Sequence, residues 1–296
     1  MNTGALLRLV RPPNVFTAFA DALAGLLILR GLGVTAAPGA GRIIFASGCL
    51  YLAGIVLNDV FDREVDARER PTRPIPRGEI SVRFAALLGA GLMLAGVGLA
   101  ASVGRSPAIV AAALAAAILA YDGGLKHTRV GPLVMGACRG LDVTMALSTG
   151  LALDGRWPPL AIAGPIVLAL YITGLTYVAR DEVDGNTTRR ARTGLIVIAA
   201  VALAAVAALA VATGLPRSPL AWPWVALAVG LAWRNWAPVW HRHDGPSTGR
   251  AIGGGIMLVP VIDATMAAVA GCPVLALGVV ALVAPALVLK QFFSPT

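Results

Sequence analysis

Charge is scarce in this chain. Asp, Glu, Lys and Arg make up only 13% of its 296 residues, about half their share in a soluble domain. Lysine is nearly missing, since Lys126 and Lys290 stand against 22 arginines. Cysteine is limited to Cys49, Cys138 and Cys272, scattered in apolar sequence. None has disulfide or metal-ligand spacing, so the three read as buried small hydrophobes. No Ser/His/Asp arrangement, Gly-rich nucleotide loop, linker or low-complexity tract stands out, and His127, His241 and His243 read as solvated loop residues. No cleavable signal peptide is evident: behind Arg8 and Arg11 the first apolar stretch is long enough to remain as a span.

What fills the chain instead is apolar. Hydrophobic residues make up 57%, and the mean hydropathy is +0.79. This composition predicts an all-α polytopic membrane protein, and its Gly and Ala richness suits close helix packing. About nine spans of roughly 20 residues fit the length. They are expected near residues 15–33, 42–60, 80–103, 106–121, 132–153, 159–179, 193–213, 219–236 and 251–289. The last stretch is too long for one span. It is either one tilted helix with a tail or two pieces broken at Gly271-Cys272-Pro273. Residues 1–296 read as one domain.

A net charge of +9 raises nucleic acid as a partner, but the distribution argues against it. With nine spans, eighteen of the 24 Lys and Arg residues fall on the side of the N-terminus and six on the other. That is the positive-inside pattern, so the rich face is cytoplasmic. The expected setting is a bacterial inner membrane with the functional face toward the cytoplasm.

The strongest local signal is Asn58-Asp59-Val60-Phe61-Asp62-Arg63-Glu64-Val65-Asp66, at the end of an apolar run. On a helix at about 100° per residue, Asp59, Asp62 and Asp66 fall within roughly 60° of one another. Three carboxylates on one stripe repel, so something cationic is expected to hold them, and the Asn58 carbonyl adds a neutral oxygen. Oxygen-only donors suit Mg²⁺, which combines one or two carboxylates with substrate phosphates. The bland alternative is a solvated helix end paired to Arg63, Arg68 and Arg70.

A second acidic run, Arg180-Asp181-Glu182-Val183-Asp184, ends another apolar helix about 120 residues later and on the same face. The two runs read as a weak internal duplication, about 1–125 and 126–250, with opposed carboxylate groups. The intervening segment Arg68–Gly78 holds Pro71, Pro74 and Pro76 and cannot continue a helix. It is expected to be extended and rigid, presenting Arg70, Arg73 and Arg77 beside the acids.

Asn58-Asp59-x-x-Asp62-x-x-x-Asp66, followed by Arg70 and Arg73-Pro74-Ile75-Pro76, resembles the first signature of the UbiA superfamily of intramembrane prenyltransferases. The resemblance runs through span order, both acidic motifs and the loop after span four, and weakens after about residue 195. It implies a bundle around a central cavity with cytoplasmic cap loops. It also implies Mg²⁺-dependent transfer of an isoprenyl group from a polyprenyl diphosphate to an acceptor, with release of diphosphate. Asn58, Asp59, Asp62, Asp66, Asp181 and Asp184 are then metal ligands, the five aspartates acting in catalysis. The second motif departs from the family's Asp-x-x-x-Asp, because Gly185 stands four positions after Asp181 and the second acid is Asp184.

In Tyr121-Asp122-Gly123-Gly124-Leu125-Lys126-His127-Thr128, Tyr121 and Lys126 resemble a Tyr and a Lys that members carry near the diphosphate. An ammonium serves there as a point charge; a positive-inside anchor is the alternative. By the same resemblance Arg70, Arg73 and Tyr121 belong to the diphosphate or substrate site, while Arg139 is either a substrate contact there or half of a structural pair. Arg139 and Asp142, inside the fifth expected span, either pair or face a watery cavity. Asp263 is a polar helix contact or lines the acceptor site. Arg11-Pro12-Pro13-Asn14 opens the first span, with Asn14 touching substrate or simply starting a helix.

The implied chemistry neutralises the diphosphate as a leaving group, while an acceptor attacks C1 of a carbocation-like allyl group and apolar walls exclude water. Partners are therefore an isoprenyl diphosphate, an acceptor that the sequence does not identify, and the bilayer. Two other classes fit in part. A transporter or channel also carries intramembrane acids, but here the charges gather at one face rather than the midplane. A membrane phosphotransferase acting on nucleotide-activated alcohols needs Ala-Arg after Asp-Gly, which Asp184-Gly185 lacks.

Overall fold

The computed structural model describes residues 3–184, 219–242 and 245–292. Every regular element among them is helical. From the N-terminus come α1 (Thr3–Val10), α2 (Val15–Gly31), α3 (Arg42–Phe61), α4 (Arg63–Glu69), α5 (Val82–Ala101), α6 (Arg105–Asp122), α7 (Gly131–Leu147) and α8 (Pro159–Asp184). Later come α9 (Ala221–Arg242), α10 (Gly245–Ala270), α11 (Ala276–Ala281) and α12 (Val283–Phe292).

Among the described residues six stretches are long and apolar enough to cross a membrane: Thr3–Gly31, Arg42–Phe61, Val82–Ala101, Arg105–Asp122, Pro159–Arg180 and Pro246–Ala270. The expected count of nine is not confirmed among the described residues. The expected span 193–213 lies outside the described residues, while α7 and α9 occupy the regions expected as 132–153 and 219–236. The long last stretch does break. Gly271 takes the left-handed conformation at φ 119° and Cys272 N donates to Ala267 O at 3.0 Å, which stops α10 just ahead of Pro273. The chain then returns as α11 and α12, both packed against α2.

Local sequence explains several boundaries. Ser81 caps α5 by accepting a hydrogen bond from Phe84 N at 3.2 Å. Pro132 sits in the first turn of α7, where its missing N–H costs nothing. The two largest buried clusters join most of the bundle. One joins α2, α3, α5, α6 and α7 through Leu50, Leu114 and Met145. The other joins α2 and α7 to α8, α9 and α10 through Leu147, Leu168 and Val259. Helices α2 and α7 belong to both, so they form the central pair.

That pair meets at Gly25. A Cβ there would lie 2.6 Å from Ala146 Cβ and 2.9 Å from the Val143 carbonyl, so only glycine permits this approach. Gly25→Val should cost about 1–3 kcal/mol by overpacking. The readout is the melting temperature in detergent, and an unchanged value would contradict the close approach.

Candidate active site

One end of the bundle collects the charged signatures. Helix α3 stops after Phe61 because Asp62 leaves helical geometry at φ −86°, ψ 2°. The hydrogen-bond ladder nevertheless runs through the joint: Asp62 N donates to Asn58 O at 2.9 Å, and Asp66 N to Asp62 O at 2.8 Å. The register therefore carries into α4, and Asp59, Asp62 and Asp66 stay on one side. Asp59 and Asp66 are buried, at 2% and 3% exposure, while Asp62 is half-buried.

Each acid meets a cation. Arg73 Nη1 donates to Asp59 Oδ1 at 3.1 Å and to Asp66 Oδ2 at 2.5 Å. Arg11 Nη2 donates to the same Asp59 oxygen at 2.6 Å. Lys126 Nζ pairs with Asp62 Oδ1 at 2.5 Å; the ammonium is buried and makes no hydrogen bond of good geometry, so its donors remain for another anion. Asn58 Nδ2 donates to Asp122 Oδ1 at 2.8 Å, which ties the end of α3 to the end of α6. Arg180 Nη1 donates to Thr128 O at 2.7 Å and fastens α8 to the Lys126 loop.

The segment Arg68–Gly78 is not extended. It folds back through turns closed by Arg73 N to Arg70 O at 3.1 Å, Gly78 N to Ile75 O at 2.9 Å and Glu79 N to Pro74 O at 3.0 Å. Proline forbids helix but suits turns. Arg73, Pro74 and Ile75 are buried, and Ile75 packs with Leu9 and Val56. Arg73 thus points inward at the acids. Arg70 is exposed, and Arg77 pairs with Glu79 at 3.3 Å.

Arg11 supplies an unexpected contact. It adopts φ 45°, ψ 64°, a conformation that non-glycine residues rarely take, immediately before Pro12. Such strain gathers where a side chain must be aimed. Here it directs the guanidinium at Asp59.

Beneath this rim lies a cavity of about 300 Å³ bounded by α3, α6 and α7 together with Arg11. Asn58, Tyr121 and Asp122 line its upper part. Ser47, eleven residues before Asn58, and Asp142, eleven residues after the start of α7 at Gly131, line it roughly 16 Å lower by helical rise. Arg139 does not hydrogen-bond to Asp142. Its Nη2 donates to Asp21 Oδ1 at 2.9 Å and to Thr17 O at 3.2 Å, and its guanidinium lies 5.7 Å over the Tyr51 ring. Ser47 Oγ lies 2.6 Å from Asp142 Oδ2, and Asp263 of α10 comes alongside Asp21.

Among the described residues no three Asp, Glu, His or Cys groups assemble as a metal-holding cluster. Asp181 and Asp184 fall in the last turn of α8, but their side chains, like those of His241 and His243, lie outside the described residues. The rim does offer oxygen donors of the right kind: Asp59 Oδ2 is buried without a hydrogen-bond partner, and Asn58 and Asp62 flank it. That donor chemistry fits a hard divalent cation.

Asp21, Arg11 and Arg180 were not among the expected site residues. Asp21 had a readable signal, because it is an acid inside the first apolar span. Arg11 and Arg180 stood in motifs that the sequence singled out, Arg11-Pro12-Pro13-Asn14 and the second acidic run, but without a signal for the contacts they make.

Fold and site together define a multi-pass helical membrane protein with an acidic, cation-braced rim above an internal cavity. The chain belongs to the UbiA prenyltransferase family, whose sequence profile matches residues 18–258. It is 31% identical over 240 residues to the digeranylgeranylglyceryl phosphate synthase of Methanopyrus kandleri, covering 77% of this chain and 84% of that one. Against the synthase of the same name from Natronomonas pharaonis, identity is 29% over 262 residues, covering 83% and 90%.

The fold is similar to the UbiA homologue of Aeropyrum pernix, with TM-score 0.64 at 17% identity, covering 94% of this chain and 98% of that one. The Archaeoglobus fulgidus UbiA homologue bound to GPP and Mg²⁺ gives TM-score 0.64 at 15% identity, covering 86% and 99%. The protein is therefore a prenyltransferase. These relatives are archaeal, so they lend the expected bacterial membrane no support.

Proposed function

We propose that this protein transfers an isoprenyl group from an isoprenyl diphosphate to a hydroxyl-bearing acceptor, at the cytoplasmic rim of the bundle and with Mg²⁺. The observation that carries the reading is the rim where Asp62 pairs with Lys126 and Asp59 and Asp66 share Arg73, above a cavity with a hydrocarbon wall. Asn58, Asp59, Asp62 and Asp66 would hold the metal, with Asp181 and Asp184 from α8 as the opposing set. When bound, Mg²⁺ supplies charge neutralisation to the diphosphate oxygens. A relative that binds GPP together with Mg²⁺ supports the same cofactor here. Relatives named for a glyceryl phosphate carrying geranylgeranyl groups support a hydroxyl as the acceptor function.

The chain's own residues do the rest. Lys126 offers its ammonium to the diphosphate, and Arg73 and Arg11 hold the acids in place. Ile55, Leu114 and Ile118 keep the cavity wall dry, which protects a carbocation-like allyl group from water. Turnover of purified protein with geranylgeranyl diphosphate and geranylgeranylglyceryl phosphate tests the reading. Diphosphate release should depend on the acceptor, fall to background with EDTA and return with excess Mg²⁺. Release that persists in EDTA rejects the metal-assisted mechanism. Movement of a solute across vesicles without any diphosphate release would favour a transporter.

A further inference from the structure

A second groove, of about 960 Å³, lies among α9, α10, α11 and α12 and shares no lining residue with the cavity beneath the rim. One stripe of α10 forms its floor. Ser247, Arg250, Ala251, Gly254, Leu258 and Val261 follow the three-and-four spacing of a single helix face. The stripe changes character along its length. It begins polar at Ser247 and Arg250, passes through small residues, and ends apolar at Val261, about 21 Å further on by helical rise. Val280 of α11 and Val283 of α12 close the apolar end.

Contacts fix which end is which. Gly31 ends α2 on the side away from the rim, and it packs directly on Ala270 at the end of α10. Trp224 Nε1, near the start of α9, donates to Pro273 O at 3.0 Å. The start of α10 and the end of α9 therefore lie on the rim side, and the polar half of the groove lies with them.

Two arginines enter that half together. Asn235 Nδ2 of α9 donates to Ala251 O of α10 at 2.8 Å, which sets the register of the two helices. Arg234 and Arg250 each precede one of those residues, so they stand at nearly one height. Both are exposed, and among the described residues no acidic side chain lines the groove. Arg250 Nη2 reaches Ser247 Oγ at 3.4 Å, a neutral partner that leaves its charge uncompensated.

Positive-inside attraction alone would place arginines at helix ends. Arg234 instead stands eight residues inside α9, about 12 Å from its last residue. Paired cations that continue into an apolar channel match an amphiphile with an anionic head and a hydrocarbon tail. Guanidinium forks suit phosphate, and basic pockets between spans on the cytoplasmic side hold phosphate-bearing lipid head groups. The prenyl donor and acceptor meet beneath the rim, across the central pair α2 and α7. The matching occupant here is a lipid of the bilayer itself.

We propose that the groove between α9 and α10 binds one anionic phospholipid of the rim-side leaflet, its phosphate on Arg234 and Arg250 and a hydrocarbon chain along Leu258 and Val261. The site does not depend on the prenyl-transfer reading.

Native mass spectrometry of the full-length protein tests it. The protein is released from mixed micelles holding equal amounts of phosphatidylglycerol and phosphatidylcholine with the same acyl chains. The two share a phosphate and tails but differ in net charge. The wild type should retain phosphatidylglycerol at least about fivefold over phosphatidylcholine. Arg234→Gln with Arg250→Gln should erase that preference. Arg83→Gln removes an exposed arginine of the same side outside the groove, and it should leave the preference unchanged.

Equal retention of the two lipids by the wild type would overturn the site, and this comparison decides even where a variant fails to fold. A preference that survives the double substitution, or one that Arg83→Gln lowers as much, would overturn it too. So would a spectrum showing a second copy of the chain in place of lipid. Absence of prenyl transfer would reject the proposed function and leave this result standing.

Discussion

Asp62→Ala should lower prenyl transfer by roughly 10³-fold, comparable to losing a key electrostatic group in other active sites, while the purified protein keeps its helicity and melting temperature. Asp62 is half-buried at the joint between α3 and α4 and pairs with Lys126. Its backbone N–H, not its side chain, continues the ladder through that joint. Alanine accepts φ −86°, ψ 2° without strain, so the joint survives. What disappears is a carboxylate at the mouth of the cavity beside the ammonium. Steady-state release of diphosphate and circular dichroism, measured on one preparation, decide the matter. Normal turnover removes Asp62 from the mechanism, and a parallel fall in melting temperature makes it structural.

The second large effect runs the other way. Arg73→Met should destabilise the protein by about 3–5 kcal/mol, the usual cost of breaking a buried ion pair from one side. Arg73 is 7% exposed and bridges Asp59 and Asp66, which are less exposed still. Asp59 would keep Arg11, but Asp66 would lose the one ion-pair partner it has among the described residues. The cost should therefore fall toward the lower end of that range. Thermal unfolding in detergent reads it directly. A variant as stable as the wild type would mean that Asp66 finds water or another cation once Arg73 is gone.

These two variants mark what the chain announces and what it conceals. The stripe of Asp59, Asp62 and Asp66 was legible because helical spacing is local, and the ladder across the joint preserves it. The partners of those acids were harder to read. Arg73 was expected beside the acids on an extended segment, whereas a turn and the burial of Pro74 and Ile75 are what bring it there. Arg11 owes its contact to an unusual backbone conformation that no composition reveals. The deep group was only half legible. Arg139, Asp142 and Asp263 drew attention as ionisable groups in apolar sequence, but their arrangement depends on α2, α7 and α10 converging. Asp21 was overlooked although the same argument applied to it. The break at Gly271 was visible as an alternative, because glycine followed by proline is a local stop signal.

The bond between Asp21 and Arg139 also bears on how the chain is made. Asp21 belongs to α2, and its guanidinium partner in α7 follows 118 residues later. At ordinary synthesis rates of about 5–20 residues per second, that interval is roughly 6–24 s. During it a carboxyl would face lipid without a counter-ion, which favours holding α2 at the insertion machinery until α7 arrives. Charge burial in the finished bundle thereby becomes a timing constraint on its biogenesis.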